Sequence, residues 1–153
     1  LKEAFKDKLK IWIAGSNPTQ SVKDLCARHG WELFPNLPDQ ELKKKFRQAA
    51  FSILPFQYTT GAKIKLLNSL AEGLPVLATR NMLLYPDQDF KPNLYSDNVV
   101  DWIEHIRSIE KKGISKSQKS SCQQFTNQFS WDAVARDANK AICKMLSFAL
   151  SSD

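Results

Sequence analysis

The sequence predicts an α/β protein, a parallel sheet with helices on both faces, and three observations carry that prediction. Short apolar runs alternate with longer segments whose apolar residues recur at helical spacing. Glycine or proline stands at most of the junctions. At 153 residues and 42% hydrophobic content, the chain can bury one sizeable core, and no composition break marks a second unit. Residues 1–153 are read as one domain.

The elements follow in order. Residues 9–14 read as a strand and residues 15–18 as a turn; residues 20–29 have helical spacing, closed by Gly30. Residues 31–35 are a second strand. Asp39 can cap a helix over residues 40–49, followed by a buried strand at residues 51–55. Thr59 and Thr60 offer N-cap oxygens to a helix running to Ala71, which Gly73 closes before a strand at residues 74–79. Residues 80–92, rich in Asp, Pro and Asn, read as a long loop, and residues 93–95 as a short extended piece. Helices over residues 97–110, 115–127 and 131–150 complete the chain, with Gly113 as the clearest break. No repeat or low-complexity tract is present.

The stretch at residues 59–79 carries the most chemistry. A helix that starts after a glycine presents free backbone N–H groups and a positive dipole end, both of which favour a phosphate. Gly61, Lys65, Asn68 and Glu72 fall on one polar face, while Ile64, Leu66, Leu67, Leu70 and Ala71 cover the other. Lys65 and Asn68 can therefore reach one ligand. Lys63 lies toward the apolar arc and either bends back into the cleft or covers packing with its stem. A surface-capped amphipathic helix without a ligand has the same spacing.

In a parallel sheet, ligands sit at the carboxyl ends of the strands. The candidate lining is thus residues 15–17, 35–38 and 56–65, although Pro35, Pro38 and Pro55 also fit as plain turn residues.

The run GAKIKLLNSLAEGLPVLAT resembles the donor-site motif of the group 1 glycosyltransferases of GT-B architecture. That motif is a Glu, seven residues, a second Glu, then Ala-Met-Ala-x-Gly-x-Pro-Val. The likeness extends to LKIWIAGSNP, ELFPNLPDQELKKKFRQAAFSILPF and FSWDAVARDANKAI, about nine tenths of the chain. It implies a Rossmann-like domain, the C-terminal, donor-binding half of a GT-B fold. It also implies sugar transfer from a nucleotide-sugar with retained configuration, driven by stabilising the leaving diphosphate.

By that resemblance, Gly15 and Ser16 lie near the diphosphate, and the backbone of Asn36 and Leu37 meets the base. Thr59, Gly61, Ala62, Lys63 and Asn68 belong to the phosphate, sugar and ribose contacts, with Lys65 and Thr60 in catalytic positions. Two departures matter, since the family's two glutamates fall on Thr60 and Asn68. Asn68 can still hydrogen-bond a diol but brings no charge. A Thr-Thr-Gly-x-Lys-x-Lys-Leu-Leu-Asn version is similar to one branch of the family.

A net charge of +6 and a pI near 9.3 favour anionic partners, which charge alone does not choose among: nucleotide phosphates, lipid phosphates, the surface of an anionic membrane or nucleic acid. The densest basic runs, Lys43-Lys44-Lys45-Phe46-Arg47 and Lys111-Lys112 with Lys116 and Lys119, also fit as solvated helix faces. No ribonucleoprotein pattern, zinc-finger spacing or arginine-rich arm points to nucleic acid. Cys26, Cys122 and Cys143 are odd in number and widely spaced, which fits reduced thiols and a cytoplasmic setting rather than disulfides or zinc. His29 and His105 are isolated and read as surface or helix-end residues. Asp87 and Asp89 read as a solvated turn, so no metal and no cofactor beyond the nucleotide-sugar substrate is expected.

The final helix carries Val134, Ala138, Ile142, Met145, Phe148 and Ala149 at helical spacing. It can lie on a membrane, dock onto the domain, or dock onto a partner domain. The resemblance implies an N-terminal, acceptor-binding half upstream, together with the central first strand of this half. Without that strand the sheet is expected to show a gap, a rearrangement or pairing with another chain, including a homodimer through exposed strand edges. The function read from these features is a glycosyltransferase for cell-surface polysaccharide or glycan synthesis, whose donor-binding half is inactive alone. The alternatives are a non-catalytic nucleotide- or phosphate-binding module and a protein-interaction domain.

Overall fold

The structure, a computed structural model, describes residues 2–5, 8–84 and 92–150, the side chains of residues 2, 3 and 148–150 excepted. Alternating strands and helices form parallel sheets flanked by helices. The order is α1 (Lys2–Phe5), β1 (Trp12–Gly15), α2 (Gln20–His29), β2 (Glu32–Pro35), α3 (Asp39–Gln48), β3 (Ser52–Leu54) and α4 (Ile64–Ala71). Then come β4 (Val76–Ala78), a 3-10 turn (Arg80–Met82), β5 (Leu94–Tyr95), α5 (Val99–Lys112), α6 (Lys116–Asn127) and α7 (Trp131–Leu150).

Every strand pair is parallel, but the strands fall into two sheets, β1-β2 and β3-β4-β5. Among the described residues β1 pairs only with β2, and β3 only with β4, so each has one unpaired edge.

The second sheet is covered on both faces because alternate residues of β4 point in opposite directions. Val76 and Ala78 join Leu66 and Leu70 of α4 and Cys122 of α6 in one core cluster. Leu77 joins Phe5 and the α5 residues Trp102 and Ile106 in another. Buried Asn93 supports the β4 entry, its side-chain oxygen accepting the Val76 N–H at 2.8 Å. On the first sheet, Trp12 of β1 packs against Phe34 of β2 and Phe46 of α3, with ring centroids 6.3 and 6.1 Å away.

Glycine closes α2 and α4 as the sequence predicts. Gly30 is left-handed at φ 66°, and its N–H returns to Ala27 O at 3.3 Å. Gly73, at φ 72°, donates to Leu70 O at 2.9 Å. An added Cβ on Gly73 would lie 3.4 Å from Lys119 Cβ and carbonyl oxygen, so this glycine also lets α6 approach.

Three local expectations are corrected. Asp39 is the first residue of α3, with Pro38 in the cap position, and its carboxylate acts on the helix dipole rather than as a cap. Ile64 and Ala71 do not cover an apolar face: both are exposed, and α4 buries Leu66, Ser69 and Leu70 against β3, β4 and α6. The final helix does not dock along the domain, for every residue at 134–147 is exposed. Among the described residues, no helix is long and apolar enough to cross a membrane.

Candidate functional site

The sequence-predicted residues occupy loops at the carboxyl ends of the strands and, for Lys65 and Asn68, the helix α4, and the structure gathers them into two groups. The first follows β1 and β2. Asn17 and Asn36 both take left-handed backbone, at φ 48° and 54°, a conformation that asparagine tolerates better than most side chains. The Asn36 N–H donates to Gly15 O at 3.0 Å, and its side-chain oxygen accepts the Asn17 N–H at 3.1 Å. Asn36 therefore ties the two loops together, and its own N–H is committed. Gly15 and Ser16 are exposed, and the space beside Gly15 is open: a Cβ there would meet nothing within 4 Å. Leu37 is half-buried next to Asn36.

The second group follows β3, β4 and β5. Thr79 donates its hydroxyl to Phe56 O at 2.6 Å, and Arg80 N–H donates to the Asp97 carboxylate at 3.0 Å, linking the three strand exits. Asn81 donates through its side-chain amide to Gln57 O. Its own carbonyl accepts the Thr59 hydroxyl at 2.8 Å. The half-buried Lys63 reaches back so that its ammonium donates to the same Thr59 oxygen. Lys63 thus bends into the loop instead of covering apolar packing.

These bonds correct the expected cap. Thr59 and Thr60 do not cap α4, because the helix begins at Ile64 with Lys63 in the cap position and no side-chain cap bond. Thr59 finds a better-placed acceptor in Asn81, while Thr60, Gly61 and Ala62 form an exposed approach to the helix. Gly61 is left-handed at φ 66° with open space around it. Ile64 N–H donates to Ala62 O at 2.9 Å and Leu67 N–H to Lys63 O at 3.0 Å. Leu66 is wholly buried, so the helix start offers a ligand chiefly the Lys65 N–H.

Lys65 is exposed, its ammonium 5.2 Å from the Phe56 ring centroid. No carboxylate pairs with it among the described residues. Its backbone is anchored, since buried Ser69 donates to Lys65 O at 3.0 Å and bonds the Ser52 hydroxyl at 3.1 Å. Asn68 is exposed one turn further on. Glu72 is not available on that face, because it pairs with Arg47 of α3 at 3.0 Å.

Among the described residues, no hydrogen bond or ion pair joins the β1–β2 group to the β3–β5 group. Two hollows, of about 390 and 270 Å³, lie at the opposite, amino ends of the strands, lined in part by Ala50 and Phe51 before β3 and by Trp31 and Lys10. Neither is lined by a sequence-predicted site residue. Thr79, Asn81 and Asp97, which knit the strand exits, were not picked out from the sequence. Their signal was a Thr, Asn or Asp within three residues of a strand's end. His105 bonds Pro92 O at 2.8 Å, and His29 stacks on Trp31 with centroids 5.1 Å apart. Asp87 and Asp89 lie outside the described residues; among those described, no cluster of three or more metal-ligating side chains occurs.

Burial sets the chemistry behind the site. The thiol of Cys122 is pushed up to about 11 by burial in the core. Burial, with Cys122 nearby, raises the Tyr95 phenol well above its ordinary value, and its hydroxyl has no hydrogen-bond partner among the described residues. Both groups are neutral structural members of the core.

Parallel strands flanked by helices, with bonded polar loops at their carboxyl edge, define an α/β protein with a Rossmann-like arrangement. The sequence matches the family model for glycosyl transferases group 1 over residues 1–109, and the chain belongs to that family. Comparison with curated proteins and with solved structures gave no match.

Proposed function

We propose that this chain binds a nucleotide-sugar and acts as the donor-binding half of a glycosyltransferase in cell-surface polysaccharide or glycan synthesis. The observation that carries the reading is the exposed ammonium of Lys65 at the start of α4, without an ion-pair partner among the described residues, beside the bonded loop of Thr59, Lys63 and Asn81. A diphosphate placed there gains a charge-assisted contact from Lys65 and the first-turn dipole. In the reaction, those groups stabilise negative charge as the diphosphate leaves with the glycosyl bond broken, and the sugar passes to the acceptor with retained configuration. Thr60, Gly61 and Ala62 face the sugar side of that position. Gly15 and Ser16, with the Asn36–Leu37 backbone, receive the nucleoside and its near phosphate. Acceptor recognition belongs to an N-terminal half, so the chain alone binds donor without transferring sugar.

A second reading is a nucleotide- or phosphate-binding module without catalysis. It is favoured by one observation: Thr60 and Asn68 stand where the family motif has glutamates. Calorimetry with nucleoside diphosphates, their sugars and unphosphorylated nucleosides tests both. Binding that requires the diphosphate is expected. Absence of binding to every ligand by the folded chain would remove both readings. Binding without transfer, after addition of an acceptor-binding half, would leave the second.

A further inference from the structure

α4 turns Leu66, Ser69 and Leu70 into the protein, and the middle one of the three is polar. Leu66 and Leu70 are wholly buried, and Ser69 is 1% exposed. Alanine suits such a slot better on two counts, since it has the higher helix propensity and takes no polar group out of water. A serine here needs partners, and it has two.

Ser69 Oγ lies 3.0 Å from the Lys65 carbonyl oxygen, one turn earlier in the helix, and 3.1 Å from Oγ of Ser52, the first residue of β3. A hydroxyl carries one proton and can accept two more. With the Ser69 proton given to Lys65 O, the contact with Ser52 is completed by the Ser52 proton. Ser52 is itself fixed, its N–H donating to Pro75 O at 2.8 Å and its backbone in register with Val76 of β4.

A bond from a serine hydroxyl to the carbonyl four residues back adds little to a helix and tends to bend it. Its effect here is on placement. Leu66 and Leu70 hold α4 on the sheet, but apolar burial is non-directional and does not fix how far the helix slides along β3. The two hydroxyls do, by joining the Lys65 backbone to one residue of that strand. The Lys65 ammonium stands near the other end of the same strand, 5.2 Å from the ring of Phe56, two residues beyond β3. These bonds are internal to the packing of α4 on β3, so they stand whatever lies over the loops above.

We infer that Ser69, backed by Ser52, is a positioning residue for the anion site: it sets the first turn of α4 where the Lys65 ammonium and N–H meet one diphosphate together. This rests on the reading that Lys65 meets the diphosphate. A binding group must be held within about 0.5 Å of its productive place. The flexible stem of a lysine supplies none of that precision, so it comes from the backbone that carries it.

Calorimetry with the five common nucleoside diphosphates, continued with the tightest of them, tests the inference. Ser69→Ala and Ser52→Ala should each weaken binding about three- to tenfold, the yield of one hydrogen bond, with the melting temperature by circular dichroism little changed. The double variant Ser52→Ala/Ser69→Ala should bind no worse than Ser69→Ala, because the two hydroxyls act in one chain. On a Lys65→Ala background, Ser69→Ala should change affinity less than about twofold. A serine that merely supports the fold would cost the same with lysine or alanine at position 65. Binding that depends on Lys65 but is unmoved by Ser69→Ala, is moved equally in both backgrounds, or falls additively in the double variant would overturn the inference and leave the donor-binding reading standing. Indifference to Lys65→Ala, or no binding of any of the five diphosphates, would remove that reading and the inference with it.

Discussion

Thr59 donates its hydroxyl proton to the Asn81 carbonyl at 2.8 Å while its oxygen accepts the Lys63 ammonium. One side chain thus holds the loop after β3 to the turn after β4 and fixes a cation beside it. Thr59→Val keeps the shape and removes both bonds. It should lower stability by about 1 kcal/mol and weaken diphosphate binding, whereas Thr59→Ser should restore both. Thermal denaturation and calorimetry on the pair report the outcome. Equal binding by the valine variant would show that the loop needs no hydroxyl.

Lys63 and Lys65 are two residues apart but have different duties, one bonded inward and one exposed. Lys65→Ala should leave the melting temperature unchanged and cost about 1.5–3 kcal/mol of diphosphate affinity, the range for a hydrogen bond to a charged group. Lys63→Ala should lower both quantities. Identical behaviour of the two variants would contradict this division.

Asn68 stands exposed one turn beyond Lys65. If it meets the ribose, Asn68→Ala should weaken ribonucleoside diphosphates and spare their deoxy counterparts. Asn68→Glu restores the family carboxylate and should tighten the ribo series. Matched titrations of the two ligand series decide the point, and equal losses for both would place Asn68 away from the sugar.

Tyr95 carries a buried hydroxyl that has no partner among the described residues. Tyr95→Phe should therefore stabilise the protein by about 1 kcal/mol at neutral pH, the lower end of the penalty for an unsatisfied buried group. The raised values of Tyr95 and Cys122 also give a sign for alkali. An unfolded thiol loses its proton near 9, but the folded one holds it until about 11. Stability is intact below pH 9 and falls as pH rises toward 11, with Tyr95 adding to the loss above its ordinary value of 10. Urea titrations at stepped pH should show the decline, and Cys122→Ala combined with Tyr95→Phe should flatten it.

Gly73 and Gly30 share left-handed backbone, at φ 72° and 66°, but only Gly73 has a neighbour within 4 Å of an added Cβ. Gly30→Ala should cost about 1–2 kcal/mol, the strain of that conformation for a side chain. Gly73→Ala should cost more, because α6 must also give way. Equal losses in denaturant titrations would mean that α6 shifts freely.

The elements most legible in the sequence are those fixed by local chemistry. Gly30, Gly73 and Gly113 close their helices, and the apolar runs at residues 51–55 and 74–79 contain β3 and β4. What was not legible depends on partners far along the chain. Thr59 looks like a helix cap until Asn81 arrives as an acceptor 22 residues later. Ile64 fits an apolar face by spacing, yet the helix turns that flank to solvent. The positions of Lys65 and Asn68 on an exposed face were readable from periodicity, whereas the bonds of Thr79, Asn81 and Asp97 between strand exits were not. The separation of β1 from β3 is likewise a matter of non-local pairing, which no run of residues encodes by itself.

The divided sheet gives the two loop groups unequal footing. Of the described residues before position 50, only Phe5 and Cys26 are buried, while both core clusters are built mainly around β3, β4 and the helices that cover them. The β1–β2 pair is therefore the part whose amide protons should trade with solvent first, opening as a separate cooperative unit at a smaller free energy than the rest. Asn36 clamps two loops within that looser unit, and Thr59 clamps two within the firmer one. A ligand long enough to touch both would act as a splint, and its grip would be recorded as slowed exchange in β1 and β2, well away from the lysine that holds its charge.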